Sequence, residues 1–82
     1  DWKVLNEASI LFQTKGKLEQ RRPDRIMIGK DKVIIIDFKF GQPLKRYNKQ
    51  MKEYINLLLA MGYAQVEGYL WYVMHQEIEQ IQ

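Results

Sequence analysis

The stretch Arg22–Lys39, RPDRIMIGKDKVIIIDFK, carries two apolar runs on either side of the polar segment GKDK at residues 29–32. A short polar segment with glycine between apolar runs is typical of a β-hairpin turn. The second run begins with Val33–Ile36, which is β-branched without a polar break. That composition favours a strand covered on both faces and therefore central in a sheet. We expect an antiparallel strand pair that ends in an acid and a lysine.

Two acids are expected to face each other across this hairpin. A turn centred between Lys30 and Asp31 places Asp24 directly opposite Asp37, with Cβ atoms about 4.5 to 5.5 Å apart on one face. Like charges at that spacing repel unless a cation lies between them, which indicates a divalent metal ion. Lys39 projects from the same face, because side chains alternate along a strand.

The N-terminal part of the chain predicts a second hairpin. Residues 3–13 have the alternation of a strand, and TKGK at residues 14–17 is a turn signal. Residues 3–40 are therefore expected to form an antiparallel meander. A turn centred in TKGK pairs Glu7 with Asp24, so that three acids and a lysine converge.

Such a set is chemically specific. Carboxylate ligands in a chain without cysteine select magnesium or manganese, as one or two ions, over zinc. Carboxylates that hold a metal beside an ammonium suit the hydrolysis of a phosphodiester bond. Covalent catalysis has no support, because Ser9 is the only serine and His75 is the only histidine.

The second half of the chain predicts a helix and a further strand. Residues 43–61 carry apolar side chains at spacings of three and four, Pro43 suits the first helical turn, and Gly62 supplies a stop. Residues 66–75 are rich in aromatic and β-branched residues, and as a strand after a crossover helix they should run parallel to the strand before it. The tail, residues 76–82, is expected to extend the sheet or fray.

The bulk composition bounds the class of protein. The chain has 82 residues, a formal charge of +3 and no cysteine, so we expect one domain, residues 1–82, and a cytoplasmic location. The longest apolar run is too short to span a bilayer, which predicts no membrane partner. The mild positive charge permits an anionic partner without demanding one. Because the chain opens without methionine, we expect a piece of a longer protein.

At this point the motifs carry a resemblance. PD at residues 23–24, followed by DFK at residues 37–39, resembles the PD-(D/E)XK signature of the restriction-endonuclease-like nuclease superfamily. QMKEY at residues 50–54 resembles the QxxxY motif of its RecB-like branch, the nuclease modules of RecB and AddAB-type helicase-nucleases. The likeness covers roughly residues 7–75.

The resemblance implies a fold, an activity and a role for each matched position. The fold would be a restriction-endonuclease-like α/β core with a mixed sheet, here without the family's N-terminal helix. The activity would be magnesium-dependent, exonuclease-like hydrolysis of DNA in repair or recombination, with a helicase attached in the parent protein. The metal ligands would be Glu7, Asp24, Asp37 and the backbone carbonyl of Phe38. The catalytic residues would be Asp24, Asp37, Lys39 as the catalytic lysine, Gln50 and Tyr54. The nucleic acid would be contacted by Arg46, Lys49, Gln50 and Tyr54.

For each of these residues, a purely structural interpretation stays open as an alternative to the functional role. The acids are alternatively surface partners of Arg22 and Arg25, Lys39 an edge lysine, and the basic helix flank around Arg46 and Lys49 an ordinary solvated face. Gln50 is alternatively a surface residue and Tyr54 a core residue. The strand aromatics and Trp2 are expected in the core.

Two other functions remain open as well. One is a non-catalytic DNA-binding or scaffolding domain that retains the nuclease fold. The other is a nuclease directed at RNA, since nothing in the sequence separates the two substrates.

Overall fold

The computed structural model describes residues 2–6, 10–14 and 16–81. In chain order the elements are β1 (Lys3–Asn6), β2 (Ile10–Thr14), β3 (Lys17–Arg21), β4 (Arg25–Ile28), β5 (Val33–Lys39), α1 (Lys45–Ala60), β6 (Val66–Tyr72), a 3₁₀ turn (Val73–His75) and β7 (Glu77–Ile81). A five-stranded sheet has the order β1-β4-β5-β6-β7, and β2 pairs with β3 in a separate sheet. The expected α/β class with a mixed sheet is confirmed.

The β4–β5 hairpin has the predicted register. Ile28 pairs with Val33 and Arg25 pairs with Ile36, which centres the turn between Lys30 and Asp31. A hydrogen bond of 2.8 Å from Gly29 N to Lys32 O closes the turn. Strand β5 lies third of five in the sheet, as the run of β-branched residues predicts.

The predicted N-terminal meander is wrong. Strand β1 pairs antiparallel with β4, with Val4 opposite Met27, and belongs to a different sheet from β2. Strands β2 and β3 form a hairpin in which Thr14 pairs with Lys17, the register that the TKGK turn predicts. A turn signal specifies only the pairing of the two strands that it joins, so it leaves open which strand lies beside β4. Glu7, which the meander paired with Asp24, lies outside the described residues.

Helix α1 begins later than predicted. Leu44 has extended backbone angles, φ −126° and ψ 142°, so Pro43 precedes the helix instead of lying in its first turn. The predicted stop is confirmed, since Gly62 has φ 108° and its N–H donates to Leu59 O over 3.1 Å. The left-handed region is accessible to glycine without the steric cost that a Cβ brings.

The core lies between α1 and the sheet. The helix buries Met51, Tyr54, Ile55 and Leu58, which recur at the spacing of one helical face. Gly68 on β6 permits this close approach, because a Cβ there would lie 2.5 Å from Met51 Sδ and 2.9 Å from Ile55 Cδ1. Each large apolar side chain buried in this way contributes roughly 1.5 to 3 kcal/mol relative to exposure.

The opposite face of the sheet is less covered than predicted. Ile34 and Ile36 are half-buried, whereas their neighbours on the helix side of β5 are buried, so the second face of the strand is covered only in part. Tyr72 is a core residue, 1% exposed, as expected. Trp71 is 38% exposed and Trp2 is 51% exposed, contrary to the expectation that the aromatics are core.

Strand β6 runs parallel to β5, with Lys39 opposite Tyr72, which confirms the crossover. It ends at Tyr72 instead of residue 75, because Val73–His75 form a 3₁₀ turn and Gln76 has φ 53°. The tail extends the sheet as β7, antiparallel to β6. Within the described ranges, no helix has both the length and the apolar character needed to cross a membrane.

Candidate functional site

Asp24 and Asp37 are joined where the bend before β4 meets the end of β5. The backbone N–H of Asp24 donates to Asp37 Oδ1 over 2.8 Å. In return, Asp24 Oδ2 accepts a hydrogen bond of 2.8 Å from the backbone N–H of Phe38. The β4–β5 register places Asp24 one residue beyond the last paired position, so the hairpin brings the two carboxyl groups together.

The Asp37 carboxyl lies in an environment that disfavours its charge. The residue is 4% exposed, on the face of β5 that α1 covers. Burial raises the pKa of Asp37 above its ordinary value, and the nearby charge of Asp24 acts in the same direction. The hydrogen bond from Asp24 N–H and the charge of Lys39 oppose this shift in the pKa without cancelling it. A buried carboxylate of this kind gains from a bound cation.

Lys39 lies two residues along β5 on the same face, as the strand alternation predicts. Its Nζ is 3.8 Å from Asp37 Oδ2 and 3.4 Å from Gln50 Oε1. The same Nζ lies 4.4 Å from the centroid of the Tyr47 ring, within the range of a cation–π contact. The Lys39 side chain is 18% exposed, so its ammonium is partly withdrawn from solvent. We refer to Asp24, Asp37 and Lys39 as the acid–lysine cluster.

The two motif residues of the helix lie in different places. Gln50 is half-buried and contacts the acid–lysine cluster through Lys39. Tyr54, one turn further along α1, belongs to the buried core and is 3% exposed. Tyr54 therefore has the position of a core residue, which was the alternative interpretation of this side chain. Gln50 lies at the cluster and not on the open surface.

A basic groove of about 530 Å³ opens beside the cluster. It is lined by Lys39, Arg46, Tyr47, Lys49, Gln50 and Glu53. Arg46 and Lys49 are exposed, and the first turn of α1 contains no acidic residue. The positive end of the helix dipole therefore adds to the charge of these side chains. The groove suits an anionic ligand.

The donor atoms suit a hard divalent cation only in part. Asp24 and Asp37 supply carboxylate oxygens, and the Phe38 carbonyl belongs to the same segment, which is the donor chemistry that magnesium and manganese prefer. Across residues 2–6, 10–14 and 16–81, however, no group of three or more acidic, histidine or cysteine side chains is placed to hold a metal ion. Glu7, the expected third carboxylate, is not among these residues.

Tyr47 is a residue of the site that the sequence interpretation did not assign to it. It lies within the apolar spacing of residues 43–61, and it does pack against the core as a half-buried residue. Its ring also contacts Lys39 and lies 5.5 Å from the guanidinium carbon of Arg46. A signal was present in the sequence, because Tyr47 lies three residues before Gln50 and so shares a helix face with it.

Comparison of the chain with models of protein families, with curated proteins and with solved structures gave no match.

Proposed function

We propose that the chain is a metal-dependent nuclease domain of the PD-(D/E)XK type that hydrolyses phosphodiester bonds in DNA with magnesium or manganese. The observation that carries the proposal is the acid–lysine cluster, in which Lys39 Nζ lies 3.8 Å from Asp37 Oδ2 and 3.4 Å from Gln50 Oε1. The basic groove beside the cluster supports a polyanionic substrate. A helicase-linked exonuclease of repair or recombination is the context proposed from the motif resemblance.

Each residue has a distinct role in this proposal. Asp24 and Asp37 would hold the metal ion, whose contribution when bound is Lewis-acid polarisation of a phosphoryl oxygen. Lys39 orients the attacking water beside Asp37 and offsets the negative charge that develops on the phosphate. Gln50 accepts a long hydrogen bond from the lysine beside the cluster. Arg46 and Lys49 bind phosphates of the strand along the groove.

The restriction-endonuclease-like fold is part of the same proposal. It is supported by the antiparallel β4–β5 hairpin, the crossover through α1 and the parallel strand β6. The acids lie at the end of the hairpin, and the QxxxY residues lie on the crossover helix that follows it. The two motifs therefore follow each other along the chain in the same order as these two elements.

The first experiment measures metal binding and cleavage separately. Calorimetric titration with Mn²⁺ is expected to show binding that Asp37→Asn abolishes and that the control Asp31→Asn, at the exposed turn, retains. Labelled DNA and RNA strands are then incubated with Mg²⁺. We expect cleavage of DNA that EDTA stops, that Lys39→Met abolishes and that Lys30→Met leaves unchanged.

The principal alternative is a non-catalytic nucleic-acid-binding domain. It is favoured by the presence of only two carboxylates at the cluster within the described residues. The titration separates the two functions, because a scaffold would bind DNA without any Mn²⁺ binding that depends on Asp24 and Asp37. Cleavage that persists in Asp37→Asn and Lys39→Met would contradict the nuclease proposal.

A further inference from the structure

We infer that Tyr47 is a positioning residue, whose aromatic ring holds the Lys39 ammonium at the acid–lysine cluster. The inference rests on the proposed hydrolysis for its catalytic consequence and on geometry for the contact itself. Lys39 Nζ lies 4.4 Å from the ring centroid, well inside the roughly 6 Å range of cation–π attraction.

The polar partners of Lys39 leave its ammonium weakly held. The hydrogen bond to Gln50 Oε1 is long, at 3.4 Å, and the ion pair with Asp37 Oδ2 measures 3.8 Å. Protein hydrogen bonds of this type are usually about 2.7 to 3.2 Å long. Lysine also has a flexible four-carbon stem, so two distant acceptors do not define one position for its charge.

The Tyr47 ring is the other partner in the contact with Lys39, and its surroundings hold it in place. Tyr47 lies in the first turn of α1, where its N–H donates to Leu44 O over 3.0 Å. The side chain packs against the buried core, so the helix and the sheet together hold the ring. A rigid aromatic face beside a flexible cation restricts the cation more than the two long polar contacts do.

The same ring extends toward the basic groove. The guanidinium carbon of Arg46 lies 5.5 Å from the ring centroid, and both residues line the groove with Lys39. Tyr47 thus contacts both the ammonium at the cluster and a cation that contacts the substrate in the proposed function. Its π-system attracts each of these two charges.

Substitutions at Tyr47 test the role of the ring face. Tyr47→Phe keeps the ring, so its kcat is expected within about twofold of the wild-type value. Tyr47→Leu keeps apolar bulk without a π-face, and a misplaced lysine is expected to lower kcat by about ten- to a hundredfold with little change in KM. Leu57→Ala serves as the packing control, because Leu57 packs on the same core and does not line the groove.

A spectroscopic measurement tests the contact without any cleavage. Ring currents of Tyr47 should shift the Lys39 Hε resonances upfield in the NMR spectrum of the full chain. The shift is expected to persist in Tyr47→Phe and Leu57→Ala and to vanish in Tyr47→Leu.

The outcomes separate this inference from the proposed function. Wild-type chain that neither cleaves DNA nor binds Mn²⁺ overturns the nuclease proposal, and the ring-current shift still decides whether Tyr47 holds Lys39. Wild-type cleavage with an unchanged kcat in Tyr47→Leu overturns the positioning role alone. Equal losses of kcat in Tyr47→Phe and Tyr47→Leu also overturn it, since they would assign the effect to the hydroxyl group.

Discussion

The backbone N–H of Asp24 donates a 2.8 Å hydrogen bond to Asp37 Oδ1. In return, Asp24 Oδ2 accepts a 2.8 Å hydrogen bond from the backbone N–H of Phe38, the residue that follows Asp37. The two acids are therefore held together by the backbone of the hairpin and not by side-chain packing alone. This arrangement gives the carboxyl groups a structural role that can be measured separately from any metal binding.

Substitution of Asp24 should separate its hydrogen bond from its charge. Asp24→Ala leaves the Phe38 N–H without its acceptor, whereas Asp24→Asn keeps an oxygen there and removes the repulsion of Asp37. We expect Asp24→Ala to be less stable than Asp24→Asn by about 1 to 3 kcal/mol. Urea denaturation of both variants in EDTA measures this difference. Equal free energies of unfolding would show that the Asp24 hydrogen bond contributes nothing.

Asp37 should make the metal-free protein less stable as the pH rises. Its pKa is raised in the folded state above the ordinary value of 3.8, mainly by burial. Between these two pKa values the folded state binds more protons than the unfolded state, so the free energy of unfolding falls with increasing pH. At neutral pH in EDTA, Asp37→Asn is expected to have a higher thermal midpoint than the wild type.

The pH profile supplies the control for this prediction. The difference between the two midpoints should shrink as the pH approaches 3.8, because the wild-type carboxyl then becomes protonated in both states. Asp31→Asn, at the exposed turn, should follow the wild-type curve. A wild-type midpoint above that of Asp37→Asn at neutral pH would show that the hydrogen bond from Asp24 and the charge of Lys39 outweigh the cost of burying the Asp37 charge.

Gly68 should not tolerate a side chain. A Cβ at this position would lie 2.5 Å from Met51 Sδ and 2.6 Å from Met51 Cγ, and Met51 is fully buried. Gly68→Ala is therefore expected to cost about 1 to 3 kcal/mol of stability through overpacking between α1 and β6. The urea midpoint measures the loss. Gly41→Ala is the matched control, since nothing lies within 4 Å of a Cβ there; similar midpoints for the two variants would count against the close helix–sheet approach.

The basic groove should determine the salt dependence of DNA binding. Arg46→Ala and Lys49→Ala are each expected to reduce the slope of log Kd against log salt by about 0.7 to 0.9, as one phosphate contact is lost. Fluorescence anisotropy with labelled single-stranded DNA in EDTA measures the slope without cleavage. Lys30→Ala, in the β4–β5 turn at the other end of these strands, should keep the wild-type slope. A slope unchanged in all three variants would place the nucleic acid away from α1.

The local features of this fold were predictable from neighbouring residues. The polar segment at residues 29–32 specified the register of β4 and β5, and the apolar spacing in α1 specified its buried face. Parallel pairing of β6 with β5 followed from the intervening helix. These features depend on turn geometry and side-chain periodicity, which a short stretch of chain already contains.

The order of the sheet and the surroundings of Lys39 depend on distant residues. Strand β1 lies beside β4, although a separate hairpin lies between them in the sequence, because strand order is decided by which surfaces bury each other in the folded chain. In the same way, the sequence determined that Asp24, Asp37 and Lys39 share one end of a hairpin. Only the packing of α1 against the sheet placed the Tyr47 ring beside the Lys39 ammonium, since that contact joins two elements whose relative position no local pattern encodes.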